Sequence, residues 1–117
     1  VLCVRDEGVW ICGTHLSVRG FGFAPVNDAQ CVELAGFLSR LSRFRPALVA
    51  GDLNRRDTCA PSGWWSESDE QASQRPGVQH VYGDGRLEVR SVEVHPTSTT
   101  DHDALVVRFS AAARAAE

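Results

Sequence analysis

The chain has 117 residues, is 43% hydrophobic and 23% charged, and carries a formal net charge of −3. That is the size and composition of one globular domain. No apolar run in it approaches the ~18 residues of a membrane span, and no repeat or low-complexity tract is visible; the acidic balance excludes a whole-surface basic footprint for nucleic acid and leaves room only for a local basic patch.

In chain order, residues 1–5 and 9–15 are apolar, β-rich runs. Asp6-Glu7-Gly8 between them is a turn signal, which predicts a hairpin. Residues 16–26 are rich in Gly and predict an ordered surface loop. Asn27 or Asp28 can cap a helix, and Cys31, Leu34, Ala35, Leu38 and Leu41 recur at helical steps to about Arg43. Arg40, Arg43 and Arg45 gather near its end, where cations suit the helix dipole, and Pro46 stops it. Residues 47–50 form a continuous apolar run, the pattern of a strand buried on both faces, and it ends in Gly51-Asp52-Leu53-Asn54. Residues 55–77 are polar and irregular, and a loop of that length is often functional. Residues 78–82 and 87–94 predict two strands around a Gly83-Asp84-Gly85 turn, and residues 104–109 a last strand after a loop over 95–100. The Ala-rich tail, 111–117, reads as a frayed helical end. Residues 1–110 therefore make one α/β or α+β unit in which β predominates.

The four cysteines, Cys3, Cys12, Cys31 and Cys59, have no C-x-x-C spacing that would point to zinc. They read either as small buried hydrophobes or as two disulfides of a secreted protein, with three possible connectivities. The chain contains no methionine and opens directly into a strand, so it reads as processed or as a piece of something longer.

Three segments share one design, polar groups at the end of a buried strand: Gly13-Thr14-His15-Leu16, Gly51-Asp52-Leu53-Asn54 and Thr100-Asp101-His102-Asp103. Rigid scaffolds present reactive side chains at such places. Two imidazoles, carboxylates and an amide suit hydrolysis of a phosphate ester. A carboxylate orients or deprotonates water, an imidazole moves a proton near neutral pH, and amide and imidazolium groups hold developing charge. Asp also offers the oxygen ligand that Mg²⁺ prefers. Each group has a plainer reading: Asp52 and Asn54 as turn formers, His15 as a bonded strand residue, Asp101 and Asp103 as solvated charges. Trp64 and Trp65 are expected to pack against the body, and His80 and His95 to be structural. Arg55 and Arg56 follow the site strand, placed either to contact a substrate phosphate or to stand solvated.

The G-T-H-L, G-D-L-N and T-D-H-D-A-L segments, in this order, resemble the endonuclease/exonuclease/phosphatase family, whose members include pancreatic-type deoxyribonucleases, apurinic endonucleases, inositol-phosphate phosphatases and sphingomyelinases. The match runs from about Val1 to Phe109 and covers the second half of the family's domain. The resemblance implies the C-terminal half of a deoxyribonuclease-I-like four-layered β-sandwich flanked by helices. It implies a hydrolase of phosphodiesters or phosphomonoesters that uses Mg²⁺, or in some members Mn²⁺ or Ca²⁺. His15 would contact the scissile phosphate, Asp52 would position the attacking water, and Asn54 would hold a phosphate oxygen. His102 would act as base or phosphate stabiliser, and Asp101, with Asn54, would help hold the metal. Arg55, by its place after the site strand, is a further candidate for substrate contact beside its solvated reading. Gln79 stands where the family carries an aspartate that orients the last histidine, and the family's metal-binding glutamate lies in its first half. A catalytically inactive phosphate-binding or interaction domain is therefore the alternative. The implied substrate is a nucleic acid, a phosphoinositide or a phospholipid headgroup. Self-association, or pairing with the family's N-terminal half, is expected, and the cysteines lean the setting toward secretion.

Overall fold

The computed structural model describes residues 1–111; most of the expected tail, 112–117, lies outside the described residues. β1 (Leu2–Asp6) and β2 (Val9–His15) form the expected hairpin. Its two-residue turn places Glu7 at φ +48° and Gly8 at φ +80°, the paired left-handed conformations that match the twist of the flanking strands. Helix α1 (Ala24–Leu41) returns the chain so that β3 (Ala47–Asp52) lies parallel to β2. β5 (Gln79–Gly83) pairs antiparallel with β3, and β4 (Trp65–Ser68) adds an edge beyond β5, giving the order β1-β2-β3-β5-β4. β6 (Leu87–His95) and β7 (Ala104–Ala111) form a separate antiparallel ribbon with a bulge between Val89 and Ser91.

The period-2 alternation of the central strand explains the layering. Val49 of β3 faces Leu34 and Leu38 of α1, with Cys12, Leu53 and Tyr82 around it. Leu48 faces the other way, toward Val9, Val81 and Leu87, where Leu105, Val107 and Phe109 of the ribbon cover it. The sheet is thus sandwiched between a helix and a β-ribbon, a mixed α+β arrangement, and β3 is buried on both faces as its apolar run predicts. Each fully buried Leu or Val here contributes about 1.5–3 kcal/mol.

Two expectations are corrected. β4 falls inside the 55–77 stretch expected to be loop. Its segment Trp65-Ser66-Glu67-Ser68 has one apolar residue in four, and it forms because it pairs with β5. The helix also starts earlier than an Asn27 or Asp28 cap would allow. It begins at Ala24 with a proline in its first turn and no side-chain cap bond, a position where proline's missing N–H costs nothing. Asn27 is instead inside the helix and fully buried. Its Nδ2 donates to Leu53 O (2.9 Å) and Ser17 O (2.7 Å), tying the helix to the loops that leave β2 and β3.

The cysteines form two disulfides, Cys3–Cys12 across the hairpin and Cys31–Cys59 between α1 and the loop after β3. Trp65 donates its indole N–H to Leu87 O (3.0 Å), and Trp64 packs on the helix-side core. Both are part of the body, as expected.

Candidate active site

Parallel strands that pair in register end together. His15 and Asp52 are register partners at the carboxyl ends of β2 and β3, the edge where ligands bind in parallel sheets. Gly51 is required for that approach, because a side chain there would run into the Thr14 carbonyl. His15 Nε2 lies 3.5 Å from Asp52 Oδ2. The other carboxylate oxygen, Oδ1, accepts the Asn54 N–H at 2.9 Å. Asn54 adopts φ +52°, which Asn tolerates better than most residues, and its Nδ2 donates to Leu16 O at 2.8 Å. One carboxylate and one amide thereby fasten the ends of β2 and β3 to each other.

The third segment arrives from the ribbon. His102 Nε2 lies 3.2 Å from the same Asp52 Oδ2, and 3.8 Å from Asp101 Oδ1. Asp52 and His102 are recessed, at 17% and 19% side-chain exposure, whereas His15 is open at 71%. His15, Asp52, Asn54, Asp101 and His102 thus meet at one rim from three distant stretches of sequence. A cavity of about 290 Å³ opens beside His15, walled by Thr14, Leu16, Gln30, Glu33 and Phe37.

Of the residues around the site, Gln79 and Arg55 stand differently from their expected places. Gln79 does not orient the His102 ring. Its Nε2 donates to Asp69 Oδ2 (2.9 Å) and Asp103 O (2.7 Å), so both amide hydrogens are engaged, and the buried His102 Nδ1 has no partner among the described residues. Arg55 is not free for substrate. Its Nη1 donates to Asn27 Oδ1 (3.0 Å) and Asp28 Oδ1 (3.1 Å), and its side chain is 13% exposed. Arg19 donates to the same two oxygens, and that bond above all holds the Asp28 carboxyl below its ordinary range. His80 is structural: it is buried, and its Nε2–H donates to Arg55 O at 2.7 Å. Tyr82 supports the same loop by accepting the Cys59 N–H (2.9 Å), and burial raises its phenol above the ordinary value. His95 pairs with Glu93 at the surface.

Asp103 is not a solvated charge but is buried, 2% exposed. It accepts from Ser73 N–H (2.7 Å), Ser73 Oγ (2.8 Å) and Gln74 Nε2 (3.1 Å). These bonds, the Ser73 backbone N–H first, hold its carboxyl below the ordinary carboxylate range. Asp69, which carries no motif in the sequence, is fully buried and accepts from Gly77 N–H, Gln79 N–H and Gln79 Nε2. The one signal for these clamps was the adjacency of Asp103 to His102.

Asp52, Asn54 and Asp101 are hard oxygen donors of the kind Mg²⁺ prefers. Yet among the described residues no three His, Cys, Asp or Glu side chains are grouped to hold a metal ion, and Asp101 is paired with Arg75 at 3.3 Å. The residues present do not make a metal centre by themselves.

No protein-family model and no curated protein matches the chain. Solved structures do. The human Nocturnin catalytic domain, determined with a bound sulfate anion, superposes with a TM-score of 0.64 at 20% identity over 88% of this chain and 46% of that one. A mannosyl-6-phosphatase of Bacteroides thetaiotaomicron superposes with a TM-score of 0.60 at 11% identity, over 87% of this chain and 50% of that one. The chain spans about half the length of these structures, and the likeness shows a shared fold.

Proposed function

We propose that this chain is the C-terminal part of a phosphoester hydrolase, acting on a phosphodiester or phosphomonoester by direct in-line attack of water. The observation that carries this reading is the approach of His15 and His102 to one oxygen of Asp52. Asp52 orients the water and His102 exchanges its proton. The exposed His15 and the Asn54 amide hold the phosphoryl oxygens as charge develops. The names of the structural neighbours, one a phosphatase and one holding sulfate, support a phosphate-type ligand. A divalent ion belongs to the same proposal. Asp101 would offer it one carboxylate and Asn54 an amide oxygen. Completion of a four-layered sandwich by an upstream half, self-association in its absence, and an oxidising extracellular setting for the two disulfides are parts of the same reading.

The exposure of Leu2 (78%) and Val4 (60%) on the edge strand β1 supports pairing with further chain. Release of nitrophenol from bis(p-nitrophenyl) phosphate, with Mg²⁺ or with EDTA and with sedimentation in parallel, tests these points together. Saturable phosphate binding without turnover in any metal, with or without the upstream half, would favour the second reading, an inactive phosphate-binding domain. That reading is motivated by Gln79 at the family's aspartate position and by the incomplete metal centre.

A further inference from the structure

The segment from Asp69 to Gln79 is fixed by two carboxylates that solvent barely reaches. Asp69 holds its C-terminal side through Gly77 N–H (2.9 Å) and Gln79 N–H (3.0 Å). Asp103 holds Ser73 and Gln74, and Gln74 also donates to Thr97 O at 3.3 Å. Between the clamps stand Arg75 and Pro76. Arg75 is at φ +43°, a left-handed conformation that a long side chain keeps only where its surroundings impose it. Here the surroundings are those two buried carboxylates.

The result is a rigid backbone that presents a guanidinium at the rim of the candidate site. Arg75 Nη2 lies 3.3 Å from Asp101 Oδ2, and the other oxygen of Asp101 lies 3.8 Å from His102 Nε2. Both partners of the Arg75–Asp101 pair are open, at 61% and 62% exposure, and solvent screens exposed pairs of this kind so that they break readily. Asp101 therefore holds the guanidinium in place without sequestering it. Arg19 and Arg55 differ in donating to Asn27 and Asp28. A guanidinium's planar fork fits two phosphoryl oxygens, and an anchored backbone lessens the entropy lost when it binds.

We propose that Arg75 is a substrate-binding residue of this site, taking non-bridging oxygens of the phosphate group, with Asp101 as its resting partner. The inference rests on the phosphoesterase reading for the nature of its ligand, but its test does not require turnover. Inorganic phosphate is titrated into the 117-residue chain without metal, followed by calorimetry and by amide spectra. Saturable binding is expected, weakened about tenfold or more in Arg75→Ala, intermediate in Arg75→Lys, and tightened in Asp101→Asn, which removes the competing carboxylate. Amide spectra of the unliganded variants report whether each keeps the fold. If Arg75→Ala unfolds, the Arg75→Lys and Asp101→Asn pair decides. Absence of phosphate binding, affinity within twofold of wild type in Arg75→Ala, or unchanged affinity in both remaining variants would overturn the proposal. Arg75-dependent phosphate binding with no turnover of any ester would leave it standing and remove the hydrolase reading instead.

Discussion

The two walls of the candidate site are built by different means. His15 and Asp52 stand on paired strands, placed by backbone register and by the close approach that Gly51 permits. His102 stands on a loop, and what places it is a set of side-chain bonds. Thr97 Oγ1 donates to His102 O, and Gln79 Nε2 donates to Asp103 O (2.6 and 2.7 Å). Asp103 and Asp69 fix the neighbouring segment. A strand ladder distributes its support over many bonds and is hard to break at one residue. A clamp concentrates it in a few buried groups, so a single substitution or a change of pH can loosen one wall and leave the other intact.

The strand-built wall is lost most severely when the cover beneath it is removed. Leu38 is fully buried on α1 against Val49 and Tyr82. Leu38→Ala should cost about 2–5 kcal/mol of unfolding free energy in chemical denaturation, lowering the stability of the whole sheet. On the clamp side the effect should be smaller and local. Gln79→Asp, which introduces the residue that the resembled family carries there, should not improve the site. It places a carboxylate against buried Asp69 and takes the donor from Asp103 O, and it should cost about 1–3 kcal/mol while leaving the His15 amide signal near its wild-type position. A rise in stability would show that Gln79 does not bridge the Asp69 carboxylate and the Asp103 backbone carbonyl.

The gentlest probe is acid. The folded-state pKa of Asp103 lies below its ordinary value because Ser73 and Gln74 bond the ionised form. The unfolded chain therefore binds more protons in the window below about pH 4. The contribution of Asp103 is fully present above that window and is lost as pH falls through its folded pKa. Thermal melts between pH 5 and 2.5 should show a shallower acid limb in Asp103→Asn than in wild type. Parallel limbs would mean that Asp103 is not ionised and bonded as described.

The same contrast explains what was legible in the sequence. Apolar runs and a helical period located β2, α1, β3, β5, β6 and β7, because those patterns follow from burial of one or both faces, and the Asp6-Glu7-Gly8 turn signal located β1 as the partner of β2 although its Leu2 and Val4 are exposed. The G-T-H-L and G-D-L-N segments were legible for the same reason: polar groups directly after a buried strand stand at its end. β4 was not, since a short polar edge strand is defined by its partner and not by its own pattern. The clamps were equally hidden. Asp69 and Asp103 resemble any loop carboxylate until the fold removes solvent from them, and Asn27 resembled a helix cap until its amide was seen to reach Leu53 and Ser17. Adjacency in sequence points Arg55 to the site and the family resemblance points Gln79 there, whereas their hydrogen bonds place both in the frame that supports it.

The central claim, that Asp52 between two histidines directs water at a phosphate ester, is tested most directly by comparing wild type with Asp52→Asn. Asn is close in size and keeps the Oδ1 that accepts from Asn54, so folding should be nearly unchanged. Initial rates on bis(p-nitrophenyl) phosphate would be measured for the chain alone and joined to the family's upstream half. The form that turns over should lose about 10²- to 10⁴-fold in rate while its melting curve stays in place. Activity within a few-fold of wild type would contradict it.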